Sequence, residues 1–128
     1  MTRKLIAVVE DNADNRLLVQ ALLEDVYDIT EYSTGREALL GLRTSVPDLV
    51  LLDISLPEMD GMEVAREIRA DARLQHLPVV ALTAHAMSGD RERFLQAGFD
   101  SYLAKPIIDE QALMETIARL LVVAEVTR

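Results

Sequence analysis

The chain has 128 residues and a mass of 14.3 kDa, the size of one domain. Half of it is apolar and 27% is charged, which excludes a disordered or collagen-like polypeptide. Asp and Glu number 22 against 13 Lys and Arg, a net charge of −9 that argues against binding nucleic acid or a membrane surface, and the lack of cysteine excludes disulfides, thiolate zinc sites and Cys nucleophiles. Along the chain, short β-rich runs alternate with helical patterns. Leu5–Val9 is continuous and apolar, as a strand buried on both faces would be. A helix is predicted over about 13–25, a weak strand over 27–32, and a second helix from Gly35 to about Thr44. Residues 49–52 form the third strand, followed by a loop punctuated by Pro57 and Gly61 and a helix to about Ala70. Pro78 opens a fourth strand over 79–82, and a short helix over 89–97 ends where Gly98 can cap it. Ser101–Ala104 is the fifth strand, and Asp109 is a good N-cap for a last helix reaching about Val123, with frayed residues beyond. No apolar run is long enough to span a bilayer. The first residues turn acidic without a signal-peptide core, so a cytoplasmic protein is expected.

Five βα units imply an α/β fold with a parallel sheet covered on both faces and right-handed crossovers. Ligands of such sheets bind beyond the carboxyl ends of the strands. The residues there are Glu10, Asp11 and Asn12 after the first strand, Asp53 after the third, Thr83 after the fourth, and Lys105 with Pro106 after the fifth. Three carboxylates in one place repel unless a cation or protons neutralise them. An oxygen-only set without His or Cys favours a hard divalent ion, Mg²⁺ or Mn²⁺. Lysine is rare in this chain, 2 against 11 Arg, yet one stands here, as a compact charge suited to an anionic oxygen. Taken singly, each residue has a plainer reading: the acids as caps, Thr83 as a buried hydroxyl, Lys105 as a solvated charge, His85 as a loop residue. Together at four strand ends they describe a phosphoryl-group site, in which a carboxylate can act as nucleophile and form an aspartyl-phosphate.

The motifs VVEDNADN, PDLVLLDISLPEMDGMEV, PVVALTAHA and AGFDSYLAKPI resemble those of the response-regulator receiver domains of two-component signalling, over about residues 4–123. The resemblance implies a flavodoxin-like three-layer αβα fold, with a five-stranded parallel sheet in the order 2-1-3-4-5 and five helices, formed by residues 1–128 as a single domain. It implies that Asp53 is the phosphoacceptor, that Asp11 ligates Mg²⁺, with Glu10 direct or through water, and that the Ser55 backbone carbonyl is a further ligand. It implies that Lys105 contacts the phosphoryl group through its ammonium, that the bond to Pro106 is cis, that Thr83 and Tyr102 are the switch pair, and that Ser55 and His85 tune phosphate loss. The common first acid of the family is Asp, and here it is Glu10, one methylene longer. On the first helix, Leu17, Leu18, Val19, Ala21, Leu22 and Leu23 cover an arc of about 240°, where a core-facing stripe needs somewhat over about 100°. The surplus at Leu17, Leu18 and Ala21, with Asn15, is either generous cover on the sheet or a docking patch for a histidine kinase or histidine phosphotransfer protein.

The expected protein is a stand-alone response regulator, a monomer or weak dimer. It catalyses only its own phosphorylation and dephosphorylation, and its downstream target is a protein. A receiver domain cut from a hybrid histidine kinase would read almost the same. A hydrolase of the haloacid-dehalogenase kind shares nucleophile and metal, but it carries the nucleophile on its first strand and wants a second Asp where Ser55 stands.

Overall fold

The structure, a computed structural model, describes residues 3–84, 90–105, 107 and 109–127. Ten elements alternate along the chain: β1 (Leu5–Val9), α1 (Ala13–Leu23), β2 (Asp28–Tyr32), α2 (Gly35–Thr44), β3 (Leu49–Asp53), α3 (Gly61–Ala70), β4 (Val79–Thr83), α4 (Asp90–Ala97), β5 (Ser101–Ala104) and α5 (Glu110–Thr127). Among the described residues, four helices begin on a side chain that accepts from a backbone N–H of the first turn: Asn12 from Asn15, Thr34 from Glu37, Asp60 from Glu63 and Asp109 from Ala112, all at 2.9–3.1 Å. Helix α4 stops at Gly98, whose φ of 109° suits only glycine. There the Gly98 N–H donates to the Leu95 carbonyl and the Phe99 N–H to the Phe94 carbonyl, and the Phe94 and Phe99 rings meet edge to face at 6.0 Å.

The strands are all parallel, in the order β2-β1-β3-β4-β5. The three central strands are buried on both faces, and their residues alternate between two cores. Ala7, Val9, Val50, Leu52, Val79 and Ala81 face α2, α3 and α4, with Leu42, Ile68 and Phe94 opposite. Ile6, Val8, Leu49, Leu51, Val80 and Leu82 face α1 and α5, with Leu23, Leu113 and Ile117 opposite. The result is the three-layer, flavodoxin-like arrangement expected from the sequence. β3 and β4 run one residue further than their apolar runs suggest, taking in Asp53 and Thr83. The last helix also outruns its expected end near Val123: it reaches Thr127, with Ala124 packed down and Glu125 paired to Lys4 at 2.8 Å. Among the described residues, no helix is long and apolar enough to cross a membrane.

Candidate functional site

Strand pairing decides which side chains meet. Val9 pairs with Leu52, so the next residues, Glu10 and Asp53, leave adjacent strands side by side. Asp53 pairs with Leu82, and Thr83 pairs with Ala104, which carries Lys105 to the same edge. Backbone bonds continue the sheet into the loops: the Glu10 N–H donates to the Tyr32 carbonyl at 3.0 Å, the Ile54 N–H to the Leu82 carbonyl at 3.0 Å, and the Lys105 N–H to the Thr83 carbonyl at 2.8 Å.

Glu10, Asp53 and Thr83 are the buried polar side chains among the described residues. The Lys105 ammonium lies 3.0 Å from Glu10 Oε1 and 3.0 Å from Asp53 Oδ2, bridging the two acids. Asp53 Oδ1 accepts from the Ser55 backbone N–H at 3.0 Å. Glu10 Oε1 also accepts from the Asn15 amide at 2.8 Å, while Glu10 Oε2 is buried with no hydrogen-bond partner. Asp11 is exposed at the rim, yet one oxygen each from Glu10, Asp11 and Asp53 lie within 4.8 Å of one another.

One lysine among three acids leaves an excess of negative charge, and the carboxyls share it unequally. Burial, then the adjoining Asp53 carboxylate and its charge, push Glu10 up to about 7, against the pull of Lys105 and Asn15. Burial also presses Asp53 upward, but the adjoining Glu10 carboxyl and the hydrogen bonds from the Ser55 N–H and Lys105 prevail and hold it below the usual carboxylate range. For Lys105 burial favours the neutral amine, and the hydrogen bonds and charges of the two acids more than reverse this. Asp53 is thus the more readily ionised member of the pair. The hard oxygen donors and the orphaned Glu10 Oε2 fit a divalent cation such as Mg²⁺.

The β3–α3 loop follows Asp53 directly. Glu58 has a positive φ of 65°, and across it the Met59 N–H donates to the Pro57 carbonyl at 2.7 Å in a three-residue turn. The loop returns tightly, with the Gly61 N–H on the Ile54 carbonyl at 3.0 Å. A Cβ on Gly61 would collide with the Asp53 carbonyl oxygen and stand 2.8 Å from Ile54 Cα, so α3 can start here only with glycine.

The chain matches the model of the response regulator receiver domain over residues 6–118. It belongs to that family. Receiver domains are signalling modules of two-component systems, not classical enzymes. The chain is similar to the polar-differentiation response regulator DivK of Brucella ovis, 45% identical over 105 residues that make up 81% of this chain and 85% of that one. Among solved structures it is similar to the receiver domain of the sensor histidine kinase PA1611 from Pseudomonas aeruginosa, which has a magnesium ion coordinated in its active-site cleft. That match has 37% identity and a TM-score of 0.85, and covers 94% of this chain and 98% of the other. A CheY-like receiver protein from Methanospirillum hungatei has a TM-score of 0.88 at 26% identity, over 99% of this chain and 100% of its own. Family membership and the place of Asp53 on β3 rather than β1 dispose of the haloacid-dehalogenase alternative.

The other expected site residues fall as follows. Tyr102 is half-buried on β5, its ring 5.7 Å from that of Phe94. Ser55 is exposed beside Asp53. His85 and Pro106 lie outside the described residues. On α1, Leu17, Leu18 and Ala21 are exposed and Val19 and Leu23 are buried, which matches the surplus read from the apolar arc. Asn15, grouped with them from sequence, is half-buried and bonded to Glu10. Sequence reasoning missed Arg16, whose guanidinium donates to the Glu10 carbonyl at 2.7 Å and pins the loop that carries the acids. No periodicity marks such a contact, which joins a strand end to the first turn of a helix. A cavity of about 390 Å³ lined by Val46, Pro47, Asp48, Arg73, His76 and Leu77 lies at the opposite edge of the sheet, away from the acids.

Proposed function

We propose that this receiver domain accepts a phosphoryl group from a phosphohistidine donor onto Asp53 and passes the signal on by protein contact or by phosphate relay. The observation that carries the reading is the Lys105 ammonium at 3.0 Å from both Glu10 and Asp53 on one sheet edge. An ionised Asp53 oxygen attacks phosphorus, a P–O bond forms, the P–N bond of the donor breaks, and the imidazole leaves with the bonding pair. Glu10, Asp11, Asp53 and the Ser55 carbonyl would hold Mg²⁺ (or Mn²⁺). When bound, the ion neutralises charge on the transferring oxygens. Lys105 exchanges its contact with Asp53 for one to the new phosphoryl group, and the Thr83 hydroxyl donates to a second oxygen. Ser55, beside Asp53, governs the approach of water, and the same role falls to His85, which lies outside the described residues.

Charge-assisted hydrogen bonds contribute about 1.5–3 kcal/mol each. Two approach the ~5.5 kcal/mol needed to invert a 1:99 equilibrium. The element they bias is α4 with Tyr102, whose ring lies against Phe94; of the segment 83–87 that belongs with it, residues 85–87 lie outside the described residues. The reading entails a single domain over 1–128, a cytoplasmic location, a monomer or weak dimer, and no turnover of a separate substrate.

A stand-alone DivK-like regulator is favoured by 45% identity over 85% of that protein. A hybrid-kinase receiver is supported by the 37% identity to the Pseudomonas domain. An immunoblot of the native protein separates them, with a band near 14.3 kDa for the first and a much heavier one for the second. The chemistry is tested by incubation with acetyl phosphate and Mg²⁺ and mass mapping of the adduct. A phosphoryl group on Asp53, absent with EDTA or in Asp53→Asn, is the expected result. Labelling at another residue, or none, overturns the reading.

A further inference from the structure

The two oxygens of Glu10 have different surroundings. Oε1 accepts from the Asn15 amide at 2.8 Å and from Lys105 at 3.0 Å, whereas Oε2 is buried and unpartnered. Lys105 alone cannot fix this orientation, because its ammonium is shared with Asp53 and a glutamate has an additional rotatable bond through which to swing. Asn15 can. It sits in the first turn of α1, its backbone N–H tied to Asn12 at 3.0 Å, and its side chain presents a planar donor to one oxygen only. The flipped amide would set two acceptors against each other. A cavity of about 10 Å³ bordered by Glu10, Asn15, Leu18 and Lys105 holds at most one water, so solvent is a poor substitute for the amide.

We propose that Asn15 is a positioning residue for the metal pocket: its amide clamps Glu10 Oε1 beside Lys105 and thereby commits Glu10 Oε2 to the divalent cation. The inference rests on the Mg²⁺ site proposed for Glu10, Asp11 and Asp53. It also explains how the longer acid is accommodated here, since its extra methylene brings the carboxylate within reach of both donors.

The test is calorimetric titration of Mg²⁺ into the full chain for four proteins: wild type, Asn15→Leu, Glu10→Asp and the double variant. Leucine keeps the branching of asparagine and removes the donor, and the backbone bond to Asn12 is untouched. Asn15→Leu is expected to weaken Mg²⁺ binding by about 10–100-fold, the usual effect of losing a residue that orients a metal ligand. In Glu10→Asp, whose shorter carboxylate falls away from Asn15, the same change is expected to alter binding by no more than about twofold, the spread of uncoupled sites. Asn15→Ala serves as a second variant, and thermal unfolding in EDTA checks that each protein folds. Wild-type affinity in Asn15→Leu, or an equal loss in both backgrounds, overturns the clamp and leaves the Mg²⁺ site standing. A wild type that binds no Mg²⁺ overturns both.

Discussion

Glu10 is the residue on which the electrostatics of the pocket turn. Its carboxyl, raised from 4.5 to about 7, is neutral in much of the metal-free protein at pH 6 and must lose its proton before it can ligate a cation. Mg²⁺ affinity is therefore expected to rise with pH through about 7 and to level off above it, with proton release on binding near neutrality. Calorimetry in buffers of different ionisation enthalpy counts those protons. The stability of the metal-free fold runs the other way. A raised folded pKa contributes stability that is complete below the unfolded value of 4.5 and is lost as pH climbs through about 7. Glu10→Gln keeps the shape and removes the proton equilibrium. In urea titrations of the metal-free protein it is expected to erase that part of the pH dependence, and in calorimetry to weaken Mg²⁺ binding. An unchanged pH profile in this variant would assign the dependence to another group.

Among the elements, the two positive-φ positions of the described residues give opposite expectations from one physical cause. Glu58, at φ 65°, carries a side chain in a backbone region that disfavours it by about 1–2 kcal/mol. Glu58→Gly removes that strain at an entropic cost of about 0.5–1 kcal/mol, so a net gain of up to about 1.5 kcal/mol in the urea unfolding free energy is expected. Gly98→Ala imposes the same strain at φ 109° and sets a Cβ 2.8 Å from Arg69 Cγ, with an expected loss of about 1–3 kcal/mol. Gly98 was legible as a cap because it stands between a short helical pattern and the run of the fifth strand. The strain at Glu58 was not, because no residue type announces it. The same contrast holds elsewhere. Strands β1, β3 and β4 were legible as unbroken apolar runs, but the polar last residues of β3 and β4, Asp53 and Thr83, fell outside the runs although the ladder includes them. Strand ends also placed Glu10, Asp53, Thr83 and Lys105 together in advance, since a parallel sheet delivers all its carboxyl ends to one edge. The Asn15–Glu10 and Arg16–Glu10 bonds could not be read, because they depend on how the first turn of α1 rotates over the loop.

For the molecule as a whole, the acid pocket and the α1 face are neighbours with separable tasks. Leu17, at 65% exposure, and Ala21 present apolar surface to solvent, while Leu18 borders the small cavity beside Glu10 and Lys105. A small donor such as acetyl phosphate needs only the pocket. A protein donor must also bring its phosphohistidine to the pocket mouth, and apolar surface beside that mouth is where a partner would lie. Charges introduced at Leu17 and Ala21, with Leu18 left intact, should therefore strike one route and spare the other. Leu17→Asp with Ala21→Asp is expected to slow phosphotransfer from a phosphorylated histidine kinase or phosphotransfer protein by about tenfold or more, equivalent to about 1.4 kcal/mol of lost docking. Labelling by acetyl phosphate and Mg²⁺ is expected to stay at the wild-type rate, because neither position touches the acids or Lys105. Parallel time courses with the two donors read the difference directly. Equal slowing with both would mean that the substitutions disturb the pocket through α1, and no slowing with either would mean that the donor approaches over a different face.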